Sequence, residues 1–135
     1  MVNTGTTIFV VDDDDFVRDA SRALLKSAGF KVEVFESAKA FLNSDYHQKE
    51  GLLVLDVRMP GMSGLELQRQ LAESGVAIPI VFITAHEDNQ AHAKAMSAGA
   101  IAFLQKPFED RTLLDAIHLG QSENSKCKGV VCDQD

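Results

Sequence analysis

Four aspartates stand in a row, Asp12 to Asp15, directly after the apolar run IFVV. Asp56 closes a second run, LLVL, Thr84 closes a third, IVFI, and Lys106 stands just beyond a fourth, IAFL. The carboxylates of Asp12, Asp13 and Asp56, gathered in one cleft, would repel one another. At ~5 Å and an effective dielectric of ~20, each such pair costs roughly 3 kcal/mol. Lys106 offsets part of that, and a hard divalent cation offsets far more. Ligation by one or two carboxylates plus water suits Mg²⁺, which keeps part of its hydration shell for a phosphate oxygen. A metal-bound carboxylate, a hydroxyl and a lysine around an open position make a phosphoryl-binding site. Asp56 could be the nucleophile there, because carboxylates form acyl phosphates.

Each residue has a plainer role when taken alone. An aspartate after a strand is usually a turn or helix-cap residue, the role expected of Asp14 or Asp15, near the positive end of a helix. Thr84 alone reads as a turn hydroxyl and Lys106 as a solvated charge. The set is more informative than its members, because four separate apolar runs deliver it.

Those runs must be the positioning elements. IFVV (8–11), VEVF (32–35), LLVL (52–55), IVFI (80–83) and IAFL (101–104) are strand-sized, and four contain no polar residue. That is the pattern of strands covered on both faces. Amphipathic stretches lie between them. Phe16, Val17, Ala20, Leu24 and Ala28 share one side of a 3.6-residue period, with Gly29 as the stop. Ser37 is the expected N-cap of a short helix through Leu42. A third helix is expected from Gly64 to Ser74, with Leu67 and Leu71 inward and Gly75 as its stop. A fourth, alanine-rich helix is expected from Asp88 to Ala98. A fifth follows Pro107 with Leu114 and Ile117 inward. Alternating β–α units imply a parallel sheet with helices on both faces. Right-handed crossovers favour a flavodoxin-like, doubly wound α/β fold of five strands in the order 2-1-3-4-5 with five helices. Ligands in such sheets bind beyond the carboxyl ends of the strands, where these residues fall.

Composition narrows the class. A chain of 135 residues, 45% hydrophobic and 24% charged, is expected to form one globular domain able to fold without a stabilising metal or disulfide framework. Acidic residues outnumber basic ones 20 to 13, so phosphate polymers are repelled overall, and no helix-turn-helix segment is evident. Apolar runs are too short for a membrane span and the N-terminus lacks a secretory pattern, so a cytoplasmic location is expected. Cys127 and Cys132 read as free thiols in a polar C-terminal segment.

Taken together and in order, VVDDDD, LLVLDVRMPGMSGLEL, IPIVFITAH and SAGAIAFLQKPF resemble the receiver domain of bacterial two-component response regulators. MPGMSG and KPF are most similar to the FixJ/LuxR-type subgroup, in which a receiver is joined to a DNA-binding output domain. The resemblance covers residues 7–119 and leaves 120–135 as a flexible tail or linker stub. It implies that Asp56 accepts a phosphoryl group from a sensor histidine kinase. Asp12, Asp13, Asp56 and the backbone carbonyl of Arg58 would hold Mg²⁺ or Mn²⁺. Thr84 and Lys106 would contact phosphoryl oxygens, Thr84 and Phe103 would form the switch, and the Lys106–Pro107 peptide would be cis. It also implies a phosphorylated homodimer through the helix 4–strand 5–helix 5 face, and a phosphoacceptor signalling domain rather than a turnover enzyme. The chain would be either a free-standing receiver or part of a larger regulator. Arg58 and His86 flank the site, whereas His47, His92 and His118 read as solvated surface.

Two other readings are weaker. Asp12-x-Asp14 is similar to the haloacid-dehalogenase motif, but Phe16 departs from it and no cap insertion is present. A flavodoxin-type flavin phosphate would meet four aspartates in the first loop.

Overall fold

The computed structural model describes residues 6–127. Its elements alternate as expected: β1 (Thr6–Val11), α1 (Asp15–Ser27), β2 (Lys31–Phe35), α2 (Ala38–Leu42), β3 (Glu50–Asp56), α3 (Gly64–Glu73), β4 (Ile80–Thr84), α4 (Asn89–Ser97), β5 (Ala102–Gln105) and α5 (Asp110–Cys127), with a 3₁₀ turn at Tyr46–Gln48. The strands form one parallel sheet in the order β2-β1-β3-β4-β5. Side chains alternate across it, and each face is buried under its own helices. Phe9, Val11, Leu53, Leu55 and Phe82 pack with Phe41 of α2, Leu67 and Leu71 of α3, and Ala91 and Ala95 of α4. Ile8, Val10, Leu52, Val54, Val81 and Ile83 pack with Leu25 of α1 and with Leu113, Ala116 and Ile117 of α5. This two-sided burial explains why the central strands read as continuous apolar runs.

The helix starts are set by side-chain caps. Asp14 Oδ1 accepts from Phe16 N at 2.9 Å, Ser37 Oγ from Ala40 N at 3.0 Å, and Asp88 Oδ1 from Ala91 N at 3.0 Å. At α3, Ser63 Oγ accepts from Glu66 N at 3.2 Å while Glu66 Oε1 accepts from Ser63 N at 2.8 Å. This reciprocal pair holds the helix that leads away from the β3 carboxyl end. Ser63→Ala is expected to lower stability by about 1 kcal/mol, read as a shift in the urea midpoint. An unchanged midpoint would mean that solvent satisfies the freed Glu66 amide.

Two helices depart from the expected pattern. Phe16, expected on the inward side of α1, is 79% exposed, and the residues buried are Ser21 and Leu25. The period was right, but the buried stripe lies to one side of the one drawn through Phe16 and Ala20. On α5, Leu113, Ala116 and Ile117 are buried and Leu114 only half-buried. The helix also continues past 119 to Cys127, through residues that had been expected to form a tail. Gln121, Glu123 and Lys126 are good helix formers, and no proline interrupts them. Gly120 is no stop here: a Cβ on it would lie 2.5 Å from Leu52 Cδ1, so its bareness lets α5 approach β3. The remainder of the expected tail, including Cys132, lies outside the described residues.

Candidate functional site

The carboxyl ends of β1, β3, β4 and β5 meet at one edge of the sheet. Asp12 follows β1 directly, its amide donating to Phe35 O at 3.1 Å, so its side chain is fixed by the sheet rather than by a loose loop. It is fully buried. Its Oδ1 accepts from Asp14 N at 2.9 Å, its Oδ2 accepts from Lys106 Nζ at 2.9 Å, and its carbonyl accepts from Arg18 Nη1 at 2.7 Å. Asp13 is exposed beside it, and Asp56, the last residue of β3, is only 6% exposed. One carboxylate oxygen from each of Asp12, Asp13 and Asp56 lies within 4.8 Å of the others.

Gly64 keeps the backbone behind the Asp56 carboxylate in place. Its amide donates to Val57 O at 2.9 Å, and a Cβ there would fall 2.2 Å from the Asp56 carbonyl oxygen. The N-terminus of α3 therefore closes directly onto Asp56, which only glycine permits.

Burial raises the Asp56 carboxyl from an ordinary 3.8 to about 7, and the neighbouring carboxylate of Asp12 adds to the rise. Lys106 and the Arg58 backbone N–H oppose it. One lysine among three clustered carboxylates leaves an excess of negative charge, and the all-oxygen donor set suits a hard divalent cation. The residues present therefore fit such an ion.

Thr84, 1% exposed at the end of β4, has its hydroxyl engaged by the following loop. Oγ1 donates to His86 O at 3.2 Å and accepts from His86 N at 3.1 Å. The Lys106 amide donates to Thr84 O at 2.7 Å, which ties the ends of β4 and β5 together. The Lys106–Pro107 peptide is cis. Phe103 on β5 is half-buried on the α4 side of the sheet, its ring centroid 6.1 Å from that of Phe82.

Three contacts had no signal in the sequence. The Arg58 guanidinium reaches Asp88 Oδ2 at 2.9 Å, joining the loop after β3 to the cap of α4. Arg18 of α1 braces the Asp12 carbonyl. His92, exposed as expected, also lies flat on Phe103 with centroids 4.7 Å apart and planes at 5°. His47 and His118 are exposed, as expected of solvated surface, with His47 edge-on to Tyr46 and His118 tilted against Phe30. All three pairings with His92, Arg58 and Arg18 depend on which helix meets which strand or loop.

Comparison with known proteins agrees with this architecture. The family model of the response regulator receiver domain matches residues 8–118. The chain is 47% identical over 119 residues to the transcriptional regulatory protein TdiR of Thauera aromatica, covering 88% of this chain and 52% of TdiR. It is 51% identical over 112 residues to the response regulator protein TmoT of Ectopseudomonas mendocina, covering 83% of this chain and 51% of TmoT. The chain thus spans about half the length of these curated relatives. The crystal structure of FixJ-N superposes with a TM-score of 0.82 at 40% identity, covering 90% of this chain and 96% of that one. Sheet order, matched span and relatives agree, and the chain belongs to the response regulator receiver domain family.

Proposed function

We propose that this receiver accepts a phosphoryl group on Asp56 from the phosphohistidine of a sensor histidine kinase, in the cytoplasm, and passes the signal on by changing conformation. The observation that carries the proposal is the convergence of three carboxylates, one lysine and one buried threonine hydroxyl at the carboxyl edge of the sheet. Asp12, Asp13, Asp56 and the Arg58 carbonyl would hold Mg²⁺ or Mn²⁺. When bound, that ion supplies charge neutralisation for the carboxylates and the incoming phosphoryl oxygens. Asp56 must be ionised to act: one carboxylate oxygen attacks phosphorus, an O–P bond forms, and the P–N bond to the donor imidazole breaks. The imidazole nitrogen leaves with the bond's electron pair, and a proton already on the ring's other nitrogen lets it end as neutral imidazole. Lys106 is placed to pair with a phosphoryl oxygen, exchanging its contact with Asp12 for a new one. Thr84 would give up its bonds to the His86 backbone and donate its hydroxyl proton to a phosphoryl oxygen. The space it leaves would admit Phe103. The receiver shifts between two populations rather than turning over an external substrate, and its own residues carry both phosphorylation and dephosphorylation.

We take residues 7–119 as the working unit, with 120–135 as a tail or linker stub toward a DNA-binding output domain. TdiR is a transcriptional regulatory protein of which this chain matches 52%, and this supports that connection. The α4–β5–α5 face is the proposed homodimer surface of the phosphorylated form.

Incubation with Mg²⁺ and acetyl phosphate, followed by prompt intact-mass measurement, tests the proposal. One added phosphoryl group is expected, absent from Asp56→Asn and from a chelated sample. If no adduct forms and beryllofluoride with Mg²⁺ also fails to bind, the proposal is overturned.

A further inference from the structure

Phe103 is the residue proposed above to move, and its ring is held on two sides. Phe82 of β4 packs at a tilt of 37°, while His92 of α4 lies parallel to it at 5° with a centroid separation of 4.7 Å. The second contact differs in kind from core packing, because His92 is an exposed residue whose neighbours in sequence, Ala91 and Ala93, carry no ring. Its imidazole covers the outer face of a half-buried phenyl group that would otherwise meet solvent. α4 meets β5 at this point, and the same helix begins at Asp88, which Arg58 holds from the loop after Asp56. Any rotation of Phe103 toward the space beside Thr84 must separate two stacked rings.

We infer that His92 is a positioning residue for the switch: it holds Phe103 against α4 and so biases the receiver toward its resting state. The inference rests on the reading of Phe103 as the switch aromatic. A stacked aromatic pair adds enough to its area burial to change a two-state ratio about two- to tenfold. The apparent affinity of a ligand for the switched state changes by the same factor, because it scales with the fraction of competent molecules.

The test uses the whole chain labelled with fluorophenylalanine, with Phe103→Leu assigning the Phe103 resonance. Wild type, His92→Ala and His92→Phe are compared at a concentration where sedimentation shows monomer. In metal-free protein, His92→Ala should move the Phe103 resonance toward its position in the beryllofluoride complex, while His92→Phe should stay near wild type. Half-saturation with beryllofluoride at fixed Mg²⁺ should fall about two- to tenfold in His92→Ala and be restored in His92→Phe. An unmoved Phe103 resonance in His92→Ala overturns the inference, as does a His92→Phe variant that behaves like His92→Ala. Should wild type fail to bind beryllofluoride at all, the phosphoacceptor reading fails. The metal-free fluorine spectra then still decide whether His92 holds the ring.

Discussion

Asp56→Asn should abolish phosphoryl uptake and, in metal-free protein near neutral pH, make the fold more stable than wild type. The sign follows from the carboxyl group itself. Burial, helped by the Asp12 carboxylate, raises Asp56 from 3.8 to about 7, so between those values the folded chain retains a proton that the unfolded chain has released. Stability from that proton is complete below about pH 4 and is lost as pH rises through about 7. Above that, wild type folds with an extra negative charge beside Asp12, whereas asparagine folds neutral and can still accept from the Arg58 amide. Allowing for solvent screening at an open sheet edge, the gain is about 1–3 kcal/mol, a rise in Tm of roughly 3–10 °C. Melts in chelator from pH 4 to 8 check this: the gap between the two proteins should be small at the acid end and widest at pH 8. Added Mg²⁺ should then close the gap from the wild-type side, because an ion that binds only the folded state stabilises by mass action. A variant less stable than wild type at pH 8 in chelator would show that the three carboxylates do not repel as their spacing requires.

Much of this site was legible before any coordinates, for a topological reason. In a parallel sheet every strand points the same way, so the residue ending each apolar run falls at one edge. Asp12, Asp56, Thr84 and Lys106 could be placed together from that rule alone. Two caps were legible too, because Asp14 and Ser37 act on amides two or three residues away, whereas the Ser63–Glu66 capping box was not picked out. Helix rotation was less so. On α1 the choice between a stripe through Phe16 and Ala20 and one through Ser21 and Leu25 turns on how the helix lies on β1 and β2. A buried serine gave no apolar signal to favour the right one. The Arg58–Asp88 pair and the His92–Phe103 stack join different β–α units, and nothing local marks their ends. Gly120 carried no signal of its role either: its bareness marks where α5 touches Leu52.

Lys106→Ala should be the most damaging single change among the charged residues of the site in the resting protein. Asp12 is fully buried, and Lys106 Nζ, 2.9 Å from its Oδ2, is the cation paired with it among the described residues. Removing one partner of a buried ion pair leaves the other charge desolvated without compensation, which costs more than the intact pair contributes. Lys106 retains some solvent contact, so the expected loss in metal-free protein is about 2–4 kcal/mol. The effect spreads to Asp56, whose carboxyl Lys106 helps to lower, so the acceptor should resist ionisation further in the variant. Two manipulations separate this electrostatic cause from lost side-chain packing. Saturating Mg²⁺ should recover more stability in Lys106→Ala than it adds to wild type, since the ion then meets an uncompensated carboxylate cluster. Asp12→Asn placed in the Lys106→Ala background should also recover stability, although Asp12→Asn in wild type should not raise it. A double-mutant cycle by urea unfolding would therefore show coupling of at least about 1 kcal/mol. Additive losses would assign the role of Lys106 to packing of its aliphatic stem. Phosphoryl uptake from acetyl phosphate should survive in Lys106→Ala at a reduced rate, because the proposed nucleophile, Asp56, is retained. Its Phe103 resonance should stay near the unphosphorylated position, since the lysine acts on the product state that the switch must read.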